Sequence, residues 1–345
     1  MMSAAPHIER LARGREARWD AFVAAAPEAT FFHRAGWADV IERAFGHRTH
    51  YLYAEEGGAI AGVLPLVEMR SMLFGHALVS TPFCVYGGVA ATSASARAAL
   101  TDAACALARE LGVSYLELRN RTPQNPDWPT KHLYVTFRKA IEADDERNLA
   151  AIPRKQRAMV RKGIDAGLVA APESGVEQLY ACYAESVRNL GTPVFGRRYL
   201  EVLADVFRPD CEVLVVRHAG EAVAAVMSFY FRDEVMPYYG GGLDRARDLK
   251  ANDFMYWEVM KRAAARGVRL FDYGRSKLDT GSYSFKKHWG FEPEPLHYEY
   301  YLVKAQAMPD LSPKNPKYRV FIEGWKRLPM PVATRLGPCL ARYLG

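Results

Sequence analysis

Apolar residues follow two rhythms along this chain, and those rhythms predict most of its elements. Between Thr49 and Val67 the run YLYAEE, the pair Gly57-Gly58 and the run AIAGVLPLV read as a β-hairpin. Glu212 to Phe231 repeats the arrangement, with its turn at Ala219-Gly220. A Tyr-Gly-Gly follows each hairpin, at Tyr86-Gly87-Gly88 and at Tyr239-Gly240-Gly241. Apolar residues at helical spacing then predict helices over Ala94–Leu111 and Asn252–Arg266, each stopped by a glycine, Gly112 or Gly267. Each glycine precedes a short valine-led strand that carries an acid at the same offset, Glu117 in one copy and Asp272 in the other.

After the hairpins the copies stay close to 155 residues apart, so the chain contains an internal repeat of strand, strand, strand, helix, strand. Further helices are predicted over Arg154–Ala166, Val176–Asn189 and Arg197–Val206. The fold class expected is mixed α/β, with helices covering a central sheet in each copy. The first domain is expected over 1–145, with the second over 146–305. Residues 306–345 form a basic tail rich in proline (Pro309, Pro313, Pro316, Pro329, Pro331, Pro338). The length of 345 residues agrees with two cores.

Composition narrows the setting. Half of the residues are hydrophobic and 25% are charged, an ordinary globular balance. There is no uninterrupted apolar run of membrane-spanning length, and the charged N-terminal stretch has no signal-peptide pattern. The five cysteines are scattered without a C-x-x-C pair, so reduced thiols are expected, and neither a disulfide framework nor a metal site. That places the chain in the cytoplasm, with the inner face of the membrane as the further option. The net charge of +7 suits an anionic partner: CoA, tRNA, a nucleotide-linked sugar or an anionic membrane surface. No DNA partner is expected.

The tandem repeat resembles the two acyl-CoA N-acyltransferase-like (GNAT-like) domains of FemAB-type transferases. FDYGRSKLDTGSYSFKKHWGFEP, Phe271 to Pro293, carries the closest likeness. Three further segments, IPRKQRAMVRKGI (Ile152–Ile164), SVRNLGTPVF (Ser186–Phe195) and NPKYR (Asn315–Arg319), resemble the FemAB-like proteins found beside bacterial exosortase/PEP-CTERM exopolysaccharide systems. The resemblance implies a tandem pair of GNAT-like domains and transfer of an acyl or aminoacyl group to an amine of an envelope or exopolysaccharide precursor. It implies acyl-CoA or aminoacyl-tRNA as donor co-substrate, with no bound cofactor. A small-molecule or glycan-precursor acceptor is implied as well.

The family's Phe-Lys motif falls on Phe285-Lys286, where the lysine is expected to stabilise the oxyanion of the tetrahedral intermediate. The CoA-binding loop of this fold carries a glycine pair at the start of the central helix; here that place reads ARDLKANDFMYW, Ala246 to Trp257, without it.

Several residues bear chemistry in their own right. Lys286 lies among Tyr283, Phe285, Trp289 and Phe291, aromatic surroundings that exclude water and strengthen a charge, unless it is an ordinary lysine on a solvent face; Tyr283 and Phe285 are candidate substrate-binding residues. Asp272 is a candidate catalytic residue: it ends an apolar strand, where acids face ligands in α/β sheets, or it pairs internally with Arg275 or Lys277, which are themselves candidate substrate-binding residues. Arg154, Arg157 and Arg161, with Lys162, share one side of a helix starting after Pro153: a phosphate clamp or a solvated face. Tyr239 and the glycines after it either admit a ligand close to the backbone or form a β-bulge. Asn252-Asp253 reads as a helix N-cap, and His288 as structural. The tail from Phe321 mixes large apolar residues with Lys326, Arg327, Arg335 and Arg342 and has no acid after Glu323. Peripheral membrane contact and a strap packed on the second domain both fit it.

Overall fold

The computed structural model describes residues 5–309 and 316–345. Its first half runs β1 (His7–Arg10), α1 (Glu16–Ala25), α2 (Gly36–Phe45), β2 (Arg48–Glu56), β3 (Ala59–Ser71), β4 (Gly75–Ser80), β5 (Ala90–Ala91), α3 (Ala94–Leu111), β6 (Tyr115–Asn120), β7 (Thr130–Lys131) and β8 (Tyr134–Ala140). There follow α4 (Asp145–Ala150), α5 (Arg154–Asp165), β9 (Val169–Glu173), α6 (Glu177–Asn189), α7 (Arg197–Val206), β10 (Cys211–His218), β11 (Glu221–Phe231), β12 (Glu234–Gly242) and α8 (Ala251–Ala265). The chain ends with β13 (Leu270–Asp272), β14 (Ser276–Lys277), α9 (Gly281–His288), β15 (Pro293–Pro295), β16 (His297–Leu302), α10 (Pro316–Lys326) and α11 (Met330–Ala341).

Two compact units result. One comprises 1–134, 295–309 and 343–345; the other comprises 135–294 and 310–342. These differ from a simple division at 145 and 305, and the reason is strand pairing. In the first unit β6 pairs with β16, so the order is β1-β2-β3-β4-β6-β16-β7 with β5 on β3. In the second, β13 pairs with β8, giving β14-β8-β13-β12-β11-β10-β9 with β15 on β8. Each half of the sequence thus supplies a strand to the other half's sheet. In both units the strand after the central helix is parallel to the third strand, β4 with β6 and β12 with β13.

The repeat is real in the hairpins and helices. Both hairpin turns place two consecutive residues in the left-handed region, Gly57-Gly58 and Ala219-Gly220, the backbone a tight two-residue turn demands. Gly112 caps α3 at φ 62° and Gly267 follows α8 at φ 78°. The two Tyr-Gly-Gly segments, however, are not equivalent. Tyr239-Gly240-Gly241 lies inside β12. Tyr86-Gly87-Gly88 lies between β4 and β5, where the Gly87 and Gly88 N–H groups donate to the Arg119 carbonyl.

In the second unit the glycines of β12 set the layers. An added Cβ at Gly241 would lie 2.4 Å from Ser186 Cβ of α6. One at Gly242 would meet Ala246 and Asn252 beside α8. Successive residues of a strand face opposite ways, so α6 and α8 cover opposite faces. Behind α8 lies α5, where Gly163 allows an approach that a Cβ would block at 2.8 Å from Phe254. Trp289, Phe271, Phe291 and Trp257 fill this core.

Candidate active site

The site begins at the end of β13. Asp272 is fully buried. Its Oδ1 accepts from the Gly274 N–H at 2.7 Å and the Thr136 hydroxyl at 3.3 Å, and its Oδ2 lies 3.5 Å from Arg138 Nε. Arg138, the cross-strand neighbour on β8, is thus one internal partner of Asp272; Arg275 and Lys277 are half-buried. The bond to Gly274 fixes a turn in which Gly274 adopts φ 68°, a left-handed conformation.

That turn presents two carbonyls to α9. Thr280 caps the helix by accepting from Tyr283 N. One and a half turns along, Lys286 is buried and its Nζ donates to the carbonyls of Gly274 at 2.9 Å and Arg275 at 3.0 Å. The ammonium also sits over the rings of Phe137 and Tyr273, 5.6 and 5.8 Å from their centroids. Burial lowers the Lys286 pKa to about 7; Asp272 opposes this shift and Arg275 adds to it.

The other sequence-selected residues fall into two groups. Tyr283 and Phe285 flank Lys286 on α9; Tyr283 packs edge-on to Phe137, and Phe285 packs on Tyr256, Tyr273 and Trp289. Tyr239 is elsewhere, buried in an aromatic cluster with its hydroxyl bonded to that of Tyr199 at 2.8 Å. The bulge expected there is present, with Tyr238 the unpaired residue: Met227 faces Tyr239 while Ser228 faces Pro237. On α5, Gln156, Val160 and Gly163 turn inward. Arg154, Arg161 and Lys162 are exposed, and Arg157 is half-buried, bonded to the Ala150 carbonyl at 3.4 Å. The basic run is thus an open face.

One expectation is corrected. Asn252-Asp253 does not cap α8, whose N-cap is Lys250 at φ 57°. Asp253 stands in the first turn and is buried, accepting from Gln156 of α5 and from Trp289 Nε1 at 3.0 Å. Burial raises its pKa. Asp253, Gln156, Thr136 and Arg138 are site-supporting residues that the sequence reading missed. A signal existed only for Asp253, an acid in a helix's first turn, and it suggested a cap. Among the described residues no group of three or more His, Cys, Asp or Glu is placed to hold a metal.

Comparison with known proteins locates this geometry. Residues 148–287 match the family described as acetyltransferase (GNAT) domain, a span that includes Lys286. No curated protein matches the chain in sequence. The crystal structure of FemX superposes with a TM-score of 0.68 at 15% identity, covering 91% of this chain and 100% of that one. A tandem GNAT protein from the clavulanic acid biosynthesis pathway superposes at 0.54 and 14% identity, covering 88% and 100%. The C-terminal domain of a putative lysylphosphatidylglycerol synthetase from Agrobacterium fabrum does so at 0.55 and 13%, covering 82% and 90%. These likenesses establish the fold: two GNAT-like α/β units in tandem.

Proposed function

We propose that the second unit transfers an acyl or aminoacyl group from an activated donor to an amine. The observation that carries this reading is Lys286, a buried amine held by two carbonyls inside the acetyltransferase-like segment. In the reaction a C–N bond forms between the amine and the acyl carbon. The C–S bond of a CoA thioester, or the C–O bond of an aminoacyl ester, breaks. The amine loses a proton and the departing sulfur or oxygen gains one. An ammonium has three N–H donors, so two bonds to carbonyls leave the third for the oxyanion, a contribution of about 3–4 kcal/mol.

Asp272 has no exposed surface and serves as a positioning residue, fixing the turn that fixes Lys286. Arg275, Lys277 and Tyr283 border the lysine, while Arg154, Arg157 and Arg161 hold phosphates of the donor or of a glycan-precursor acceptor. Phe285 and Tyr239 act through packing. The resemblance of three segments to exopolysaccharide-associated FemAB-like proteins supports an amino-sugar or other envelope-precursor amine as acceptor, used in the cytoplasm or at the inner membrane face.

A second reading, a non-catalytic scaffold in polysaccharide assembly, is favoured by the start of α8. There Lys250, and no glycine pair, leads into the helix. A thermal-shift titration with acyl-CoA and aminoacyl-tRNA separates the two. A donor at 100 times its Kd stabilises the fold by about 2.7 kcal/mol. Saturable stabilisation by either supports transfer, and no shift with both favours the scaffold. Lys286→Ala is expected to abolish transfer in a folded protein; an active variant removes Lys286 from the mechanism.

A further inference from the structure

The helical pair α10–α11 packs by one side and leaves apolar side chains on the other. Its inward contacts are with α6 and the loop after it. Ile322 rests on Gly191, where an added Cβ would lie 2.5 Å from Ile322 Cγ2. Trp325 is buried, and the Lys326 carbonyl accepts from Arg188 at 3.0 Å. On α11 the buried positions are Ala333, Gly337 and Ala341, and a Cβ at Gly337 would meet the Val194 carbonyl at 2.6 Å. On α11 the smallest side chains therefore face the protein, whereas α10 turns Ile322 and Trp325 inward.

Several other large apolar side chains are exposed. Val332 and Leu336, one helical turn apart on α11, are exposed, Leu336 by 50%. On α10 Val320 is 77% exposed, and Phe321, whose ring stacks on Trp325, is partly exposed; beside that helix, Leu190 is 70% exposed. A helix that only packed on its own protein would bury its leucine and valine and expose its alanines. Both helices bury the side turned to α6 and its loop, so their outer faces look away from the same layer.

Charge says what covers this surface. Arg327 and Arg335 are exposed and, among the described residues, have no acidic partner; the chain has no acid after Glu323, which is paired with Lys326 at 2.7 Å. An apolar face bordered by unpaired cations complements an anionic bilayer, where acyl chains take the apolar side chains and headgroups the arginines. We propose that the outer face of α10–α11, with Leu190, docks the protein on an anionic membrane. This deepens the membrane-face part of the reading above and is independent of acyl transfer.

The test is flotation of the full chain with phosphatidylcholine vesicles, with and without phosphatidylglycerol. The chain is expected to float with the anionic vesicles only, and to be released by high salt. Val332→Glu with Leu336→Glu is expected to abolish flotation while leaving the near-ultraviolet circular dichroism unchanged. Arg335→Ala, at an exposed position, is expected to weaken partitioning about fivefold. Absence of flotation with either vesicle overturns the proposal, as does flotation unaffected by these substitutions. Self-association without flotation, lost in the double variant, would make a second copy the occupant and also overturn it. Transfer to a water-soluble amine is expected to be equal in wild type and double variant, so failure of docking and failure of the transferase reading are distinguishable.

Discussion

The Nζ of Lys286 donates to the Gly274 carbonyl at 2.9 Å, and the Gly274 N–H in turn donates to Asp272 at 2.7 Å. One residue thus links the buried acid to the buried amine through its own peptide groups. The position of the ammonium is set by a turn, and the turn by a carboxylate that no solvent reaches.

Lys286 should impose a specific pH dependence. In the unfolded chain a lysine keeps its proton to about pH 10.4, whereas in the fold Lys286 releases it near 7 because burial disfavours the charge. The unfolded state binds more protons between those values, so stability rises with pH across the window, and the penalty is fully present below about 7. Lys286→Met removes this dependence. Its stability relative to wild type is expected to fall by at most about 1.4 kcal/mol per pH unit from 7 towards 10, measured by urea unfolding. A difference independent of pH would show that the amine is not strained by burial.

Catalysis tests the same proton with another readout. An oxyanion-stabilising ammonium works only while charged, so turnover is expected to fall as pH rises through about 7. Lys286→Arg keeps the charge and is expected to move that limb to higher pH. A rate that instead rises through 7 would make the amine a base.

Asp272→Ala is expected to cost about 1–3 kcal/mol, because it leaves a buried N–H and a buried hydroxyl without their acceptor. These belong to Gly274 and Thr136; half-buried Arg138, 3.5 Å from Asp272, keeps its other carboxylate, Glu234. Asp272→Asn keeps an oxygen for Gly274 N and is expected to lose less. Equal midpoints for both variants in urea would deny the turn-fixing role.

Much of this was legible in the sequence, for reasons that differ from residue to residue. The hairpins, α3, α5 and α8 were readable because local rules decide them: left-handed turn residues, helical apolar spacing and the glycines at 112 and 267. Lys286 stood out through its aromatic neighbours and its resemblance-borne motif. The exchange of β8 and β16 was not readable, since partner choice in a sheet is settled by edges far apart in sequence. Nor was the role of Asp253, where the bond to Trp289 spans 36 residues. The similarity of the two Tyr-Gly-Gly segments misled, because glycine serves a bulged strand in one and a loop in the other. The tail's strap reading agrees with its packing on α6 and the following loop, while its membrane reading enters only as the proposal above; which of its residues turn inward was decided by burial, not by local pattern.

Gly241 carries a packing prediction. A Cβ there would lie 2.4 Å from Ser186 Cβ and 2.8 Å from the Cys182 carbonyl, so α6 would have to lift from β12. Gly241→Ala is expected to cost about 1–3 kcal/mol as overpacking, and to lower Tm by about 2–4 °C for each kcal/mol. An unchanged melting curve would mean that α6 does not seat on this glycine.

The open face of α5 separates binding from folding. Arg154 and Arg161 are exposed and, among the described residues, have no acidic partner, so their removal should leave stability within about 0.5 kcal/mol. Their proposed work is to attract phosphate, an interaction that salt screens over about 10 Å at 0.1 M ionic strength. Arg154→Ala with Arg161→Ala is therefore expected to raise KM for a phosphate-bearing substrate several-fold at low salt, with kcat little changed. The difference should fade as salt is added, because wild type then loses the same attraction. A KM equal to that of wild type at low salt would make the run a solvated face and move the anion site elsewhere. A loss in kcat with KM unchanged would instead place the arginines in the chemical step, which their distribution on the outer side of α5 does not support.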